Sequence, residues 1–160
     1  MVVGMAELKV ASAAPAARLV TYALGSCLGI AVWDPVALVG GLLHVMLCSS
    51  QIDEARARIT PAMFVDTGVP ELFRRCYALG AVKQRMIVKV AGGAHSGASE
   101  AHDRFQIGKR NVIVLRKLLW KNGVLIEALD VGGFQKSRTM SLDLTSGEVV
   151  LRTNGVVSTL

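Results

Sequence analysis

The longest apolar run of the chain, CLGIAVWDPVALVGGLLHVMLCSS at residues 27–50, carries a single charge, Asp34. Asp34-Pro35 divides the run, and Gly40-Gly41 divides it again; Asp-Pro favours turn initiation. Each part falls short of the roughly 18 to 20 apolar residues a spanning helix needs. No membrane insertion is therefore expected, and the run reads as two buried strands, 28–33 and 38–47, paired antiparallel. A turn centre near residues 35 and 36 places His44 opposite about Cys27. One residue of slip would reverse that facing.

Upstream, residues 5–10 (MAELKV) read as a strand, followed by a small-residue loop over 11–17 that leads into residues 18–21. The Ala-rich start lacks the basic and then apolar regions of a leader. Downstream, residues 49–58 read as an exposed polar loop. A helical pattern starts at Thr60, with Pro61 at the first helical position. Gly68 and Pro70 break or kink it, and a second helix runs from Pro70 to near Gly80. Residues 85–90 form a strand and 95–106 a polar loop. The clearest helix covers 107–122, with Val112, Leu115, Leu118 and Leu119 on one face and Asn122-Gly123 as its stop. Residues 124–131 and 147–152 read as late strands, with a turn at Gly132-Gly133. Neither a repeat nor a linker interrupts the pattern, so one domain over residues 1–160 is expected.

The composition narrows the class. Hydrophobic residues make up 52% and aromatic residues only 5%, so Val, Leu, Ala and Ile must build the core. Short Gly-punctuated runs of this kind favour sheet with some helix, so an α/β (α+β) fold is expected, a mixed and mostly antiparallel sheet packed with about two to three helices. A net charge of +6 favours acidic partners. The basic residues are nevertheless scattered, with only short groups such as Arg74-Arg75 and Lys109-Arg110, and a solvated basic surface is the plainer reading. Nucleic-acid binding through that charge would show a steep salt dependence. Three cysteines without a C-x-x-C make no disulfide framework and point to a reducing compartment, the cytoplasm.

Thiol chemistry is the sharpest signal. Cys27 follows Gly25-Ser26 at the entry to an apolar strand, where a turn can aim a side chain and its own N–H at one point. A cysteine attacks as its thiolate, and a histidine within hydrogen-bond reach can take its proton and return it to a leaving group. His44 is the candidate partner; the competing reading is a satisfied core histidine. Thr21 is the candidate acceptor for the other imidazole nitrogen. Backbone N–H groups of Gly25, Ser26 and Cys27 could contribute to an oxyanion hole. Cys48 would share a strand face with His44 and border the site, whereas Cys76 lies on a probable helix and reads as core. Zinc is a rival use for Cys27, His44, Cys48, His95 and His102, without the compact pair spacing of structural sites. Gly92-Gly93 could bind an anion or simply need positive φ. Lys109, Arg110 and Asn111, at the start of the long helix, could contact a partner.

These residues resemble a known family, the bacterial chemotaxis protein CheD, a receptor-modifying glutamine deamidase. The resemblance is carried by LGSCLGIAVWDP at 24–35, GGLLHVML at 40–47, VKVAGGA at 88–94, IGKRNV at 107–112 and EALDVGG at 127–133. It implies a compact sandwich shared with deamidating bacterial toxins, a catalytic set of Cys27, His44 and Thr21, and no metal or organic cofactor. The implied substrates are the cytoplasmic helices of chemoreceptors, with a CheC-type phosphatase as a second partner and no nucleic acid. The alternative is a binding module that has the fold but works by docking to such a phosphatase or receptor. Two departures, Cys48-Ser49-Ser50 where the family usually has proline and Ser137-Arg138 where it usually has glycine before the arginine, bear on the rim of the site.

Overall fold

A computed structural model describes residues 1–15, 17–95 and 103–160. It is a mixed α+β structure in three layers. Strands β1 (Glu7–Ser12), β3 (Leu28–Asp34), β4 (Val39–Val45), β5 (Ile87–Gly92) and β6 (Ala128–Val131) form a sheet in the order β1-β4-β3-β5-β6. Only the β5–β6 pair is parallel. Strands β2 (Arg18–Leu24), β7 (Arg138–Asp143), β8 (Val149–Thr153) and β9 (Val156–Thr159) form an antiparallel second sheet. The helices are α1 (Glu54–Ile59), α2 (Val65–Ala78) and α3 (Ile107–Lys121). Among the described residues no helix is long and apolar enough to cross a membrane.

The alternation along β3 and β4 explains the layering. Leu28, Ile30, Val32, Val39, Leu43 and Val45 pack with Val65, Val69, Leu72 and Phe73 of α2 and Leu115 and Leu119 of α3. The intervening Ala31 and Leu42 pack with Leu19, Leu24, Met140 and Leu142 of the second sheet. Covered on both faces, such strands read as unbroken apolar runs. His44 is the polar exception on the inward-facing side of β4.

The β3–β4 register differs from the sequence expectation by two residues. Asp34 pairs with Val39, and His44 lies opposite Gly29 rather than Cys27. The cause is the placement of the four-residue turn, which spans 35–38 rather than 34–37 and in which the Asp34 carboxylate accepts the N–H groups of Val36 and Ala37 at 2.9 and 3.0 Å. An even shift keeps the face, so Cys27, two residues before Gly29, still lies toward the second sheet and packs against its cluster.

Other expectations are corrected as well. The polar stretch 49–58 is not simply a loop: Ser50–Ile52 is a 3₁₀ turn, and α1 follows with the Asp53 side chain accepting the N–H of Arg56 at 2.8 Å. Pro61 opens a 3₁₀ turn, not the long helix, and α2 runs unbroken through Gly68 and Pro70. Pro70 forgoes one backbone bond, and Gly68 lies close against Ala62 and the Pro61 carbonyl, where a larger residue would crowd. Strands β7 and β9 escaped the sequence reading, and most of the 95–106 loop lies outside the described residues.

Candidate functional site

The turn carrying Cys27 crosses from β2 of one sheet to β3 of the other. Its three carbonyls are all held from outside. Ala94 N–H donates to Gly25 O at 2.8 Å, Gly93 N–H donates to Cys27 O at 2.8 Å, and Asn111 Nδ2 donates to Ser26 O at 3.1 Å. The Gly25 N–H is taken by the Ala23 carbonyl at 2.9 Å, which removes it from any oxyanion hole. Among the described residues, the N–H groups of Ser26 and Cys27 meet no carbonyl partner.

Gly92 shows why the VAGGA segment reads as it does. Its φ is +119°, and a Cβ there would run into the carbonyl oxygen of Cys27. Gly92→Ala therefore combines an unfavourable backbone conformation with displacement of the Cys27 turn. It is expected to lower stability by about 2 kcal/mol and to slow any reaction at Cys27 by about 10²-fold, read from urea denaturation and turnover. Preserved turnover would mean that the turn relaxes freely.

β2 delivers Thr21 from the opposing sheet. Leu19 and Thr21 point inward, then a bulge between Thr21 and Leu24, with Ala23 at φ 58°, rephases the strand so that Leu24 is also buried. Bulges of this kind re-aim side chains beside functional sites. Thr21 Oγ1 lies 2.7 Å from His44 Nδ1 and 2.8 Å from the carbonyl oxygen of Val3, and both side chains are fully buried. The single hydroxyl proton must go to Val3 O, which can only accept. Thr21 Oγ1 consequently accepts the proton on Nδ1, and the neutral imidazole keeps its lone pair on Nε2. Among the described residues Nε2 has no hydrogen-bond partner, Cys27 Sγ included.

Burial pushes the His44 imidazole below its ordinary 6.5. Burial also pushes the Cys27 thiol above its ordinary 9.0, only partly opposed by its own N–H. Both shifts favour a neutral thiol and a neutral imidazole over a preformed ion pair. The rate of Cys27 alkylation by iodoacetamide is expected to rise steadily over roughly pH 6 to 10, measured site by site by mass spectrometry. A rate that stays flat through the acid range would instead signal a standing thiolate–imidazolium pair. Buried Cys76, whose thiol burial pushes up to about 12, is expected to stay unlabelled in the folded chain.

The structure thus joins Thr21 to His44 directly and puts Cys27 on the same side of the sheet without a hydrogen bond between them. Cys48 lies past the end of β4 and is half-buried, so the shared-face argument does not reach it. Among the described residues no group of three or more His, Cys, Asp or Glu side chains could hold a metal ion; His102, one of the zinc candidates, lies outside them. The sequence reading placed Asn111 outward with Lys109 and Arg110, but it is fully buried. Its signal was visible: Gly108, Asn111, Leu115 and Leu119 share the buried face of α3. Arg138, also buried, bonds Asp130 at 3.0 Å and Gly132 O at 2.9 Å beneath the turns beside Gly92.

Two facing sheets backed by helices, with a turn cysteine and a threonine-bound histidine between them, define an α+β sandwich equipped for thiol chemistry. The chain belongs to the CheD family. The family model for CheD chemotactic sensory transduction matches residues 46–153. That match begins just past Thr21, Cys27 and His44, whereas pairwise similarity runs across them. The chain is 47% identical over 155 residues to a probable chemoreceptor glutamine deamidase CheD of Solibacter usitatus, covering 97% of this chain and 89% of the relative. It is 40% identical over 158 residues to a counterpart, CheD 2, of Anaeromyxobacter dehalogenans, covering 99% and 97%. A further relative, CheD 1 of Syntrophus aciditrophicus, is 50% identical over 137 residues, covering 86% and 84%.

Proposed function

We propose that this chain is a protein-glutamine deamidase acting on chemoreceptors, with Cys27 as nucleophile, His44 as general base and acid, and Thr21 as the positioning residue for His44. The observation that carries the reading is the Val3–Thr21–His44 relay, because it leaves a basic Nε2 on the side of the sheet that Cys27 faces. The names of the relatives, chemoreceptor glutamine deamidases, support the choice of substrate.

In this mechanism Nε2 takes the Cys27 proton as Sγ adds to the side-chain amide carbon of a glutamine. The C–N bond then breaks, and the proton on His44 leaves with ammonia. Water, activated by the same Nε2, hydrolyses the thioester, which restores the thiol and leaves glutamate. The net change is amide plus water to carboxylic acid plus ammonia. Backbone N–H groups of Ser26 and Cys27 are the available oxyanion donors, each contributing about 3 kcal/mol in acyl transfer of this kind. No step calls on a cofactor.

The reading places the enzyme in the cytoplasm as a single domain over residues 1–160, with receptor cytoplasmic helices as substrate and a CheC-type phosphatase as a competing partner. The test is incubation with receptor cytoplasmic fragments from the same source. A mass gain of about 1 Da at defined glutamines is expected. Fragments left unchanged while the chain binds a CheC-type phosphatase tightly would replace the enzyme with a docking module.

A further inference from the structure

The β3–β4 ladder ends at Leu28–Val45. The next rung would join Cys27 to Met46, and at that point the carboxamide of Asn111 enters instead. Its Nδ2 donates to Ser26 O at 3.1 Å and to Met46 O at 3.0 Å. Both partners are carbonyls, so the orientation of the amide is fixed: the nitrogen, with two protons, must face them. Ser26 immediately precedes Cys27, and Met46 lies two residues past His44. One side chain therefore spans the two segments that carry the nucleophile and the base.

We propose that Asn111 is a positioning residue that sets the Cys27 turn against the His44 strand for deamidation. The inference rests on the function proposed above and adds a residue to it. Asn111 Oδ1 is buried without a partner among the described residues, whereas an apolar residue of similar size would take the Nδ2 donor from the Ser26 and Met46 carbonyls. What asparagine supplies and leucine cannot is two donors at one fixed separation. The seat of α3 serves the same end. Gly108 lies directly against the Gly93 carbonyl, and Gly93 N–H donates to Cys27 O at 2.8 Å. The start of α3 thus holds the Cys27 turn directly through Asn111 and at one remove through Gly93, which gives the VAGGA and IGKRNV segments a common task.

The test compares Asn111→Leu with the unsubstituted protein on receptor fragments, scored per folded molecule. The expected result is a fall in kcat of about 10²-fold with KM within about twofold. Added to His44→Ala, the same substitution should cost no more than about twofold further, because a misplaced pair no longer acts as a unit. Turnover within twofold of normal, or losses that multiply in the double variant, would overturn the proposal and leave Asn111 a packing residue. Asn111→Asp keeps the volume and removes both donors, and it carries the same comparison where Asn111→Leu does not fold. If the unsubstituted protein deamidates no fragment, the enzymatic reading fails by itself. The positioning claim is then read from iodoacetamide: release of the turn should speed Cys27 labelling roughly tenfold at neutral pH, and an unchanged rate would overturn it.

Discussion

Cys27→Ala and His44→Ala are each expected to reduce deamidation of receptor fragments by at least about 10³-fold, with little change in thermal stability. Cys27 is half-buried in a turn that its carbonyls, not its sulfur, hold in place, so removing the sulfur leaves the pinning bonds intact. Among the described residues His44 gives up one side-chain bond, to Thr21, and an Nε2 that has no partner. In the proposed mechanism the two act on one proton, so the double variant should be no slower than the worse single one. Thr21→Val keeps the shape and removes the acceptor for the Nδ1 proton. It should cost about 10²-fold, less than either Ala variant, because it frees the tautomer without removing the imidazole. Single-turnover rates on one receptor fragment decide the order; a Thr21→Val loss equal to that of His44→Ala would give the hydroxyl a direct part in the chemistry.

The candidate site was legible in the sequence to the extent that it is local. A turn cysteine at the mouth of a buried strand and one histidine in an apolar strand are readable from residue type and pattern alone. The two-residue error in register came from the Asp34 turn, whose position is set by the N–H groups of Val36 and Ala37 donating to the Asp34 carboxylate. That error left the facing unchanged only because strand faces repeat every two residues. What the pattern could not carry were contacts between distant segments. The Val3 carbonyl fixes the proton of Thr21, and Asn111 reaches 85 residues back to Ser26. Helix α2 was misread for a related reason: Gly68 and Pro70 are local helix breakers, yet burial of Val65, Val69, Leu72, Phe73 and Cys76 against the sheet outweighs them.

Asp34→Ala is expected to be the most destabilising substitution outside the apolar core, at about 3 kcal/mol near neutral pH. The Asp34 carboxylate is fully buried and accepts from Arg85 Nη2 at 2.8 Å and from the Val82 N–H at 2.8 Å, besides the two turn N–H groups. Those donors, Arg85 foremost, hold its carboxyl well below the ordinary 3.8. A carboxyl lowered on folding contributes in full above its unfolded value and loses that contribution as pH falls through the window beneath it. The stability gap between the wild-type chain and Asp34→Ala should therefore be constant at neutral pH and narrow below about pH 4. Urea midpoints across pH measure it, and a gap that is small at neutral pH or flat into acid would mean that the ionised network does not hold the turn. The effect should also reach the site. Asp34 fixes the turn that pairs it with Val39, and that register is what brings Gly29 opposite His44. A chain that survives the loss of Asp34 should deamidate more slowly per folded molecule, because the strand carrying His44 is no longer set against the strand that follows Cys27.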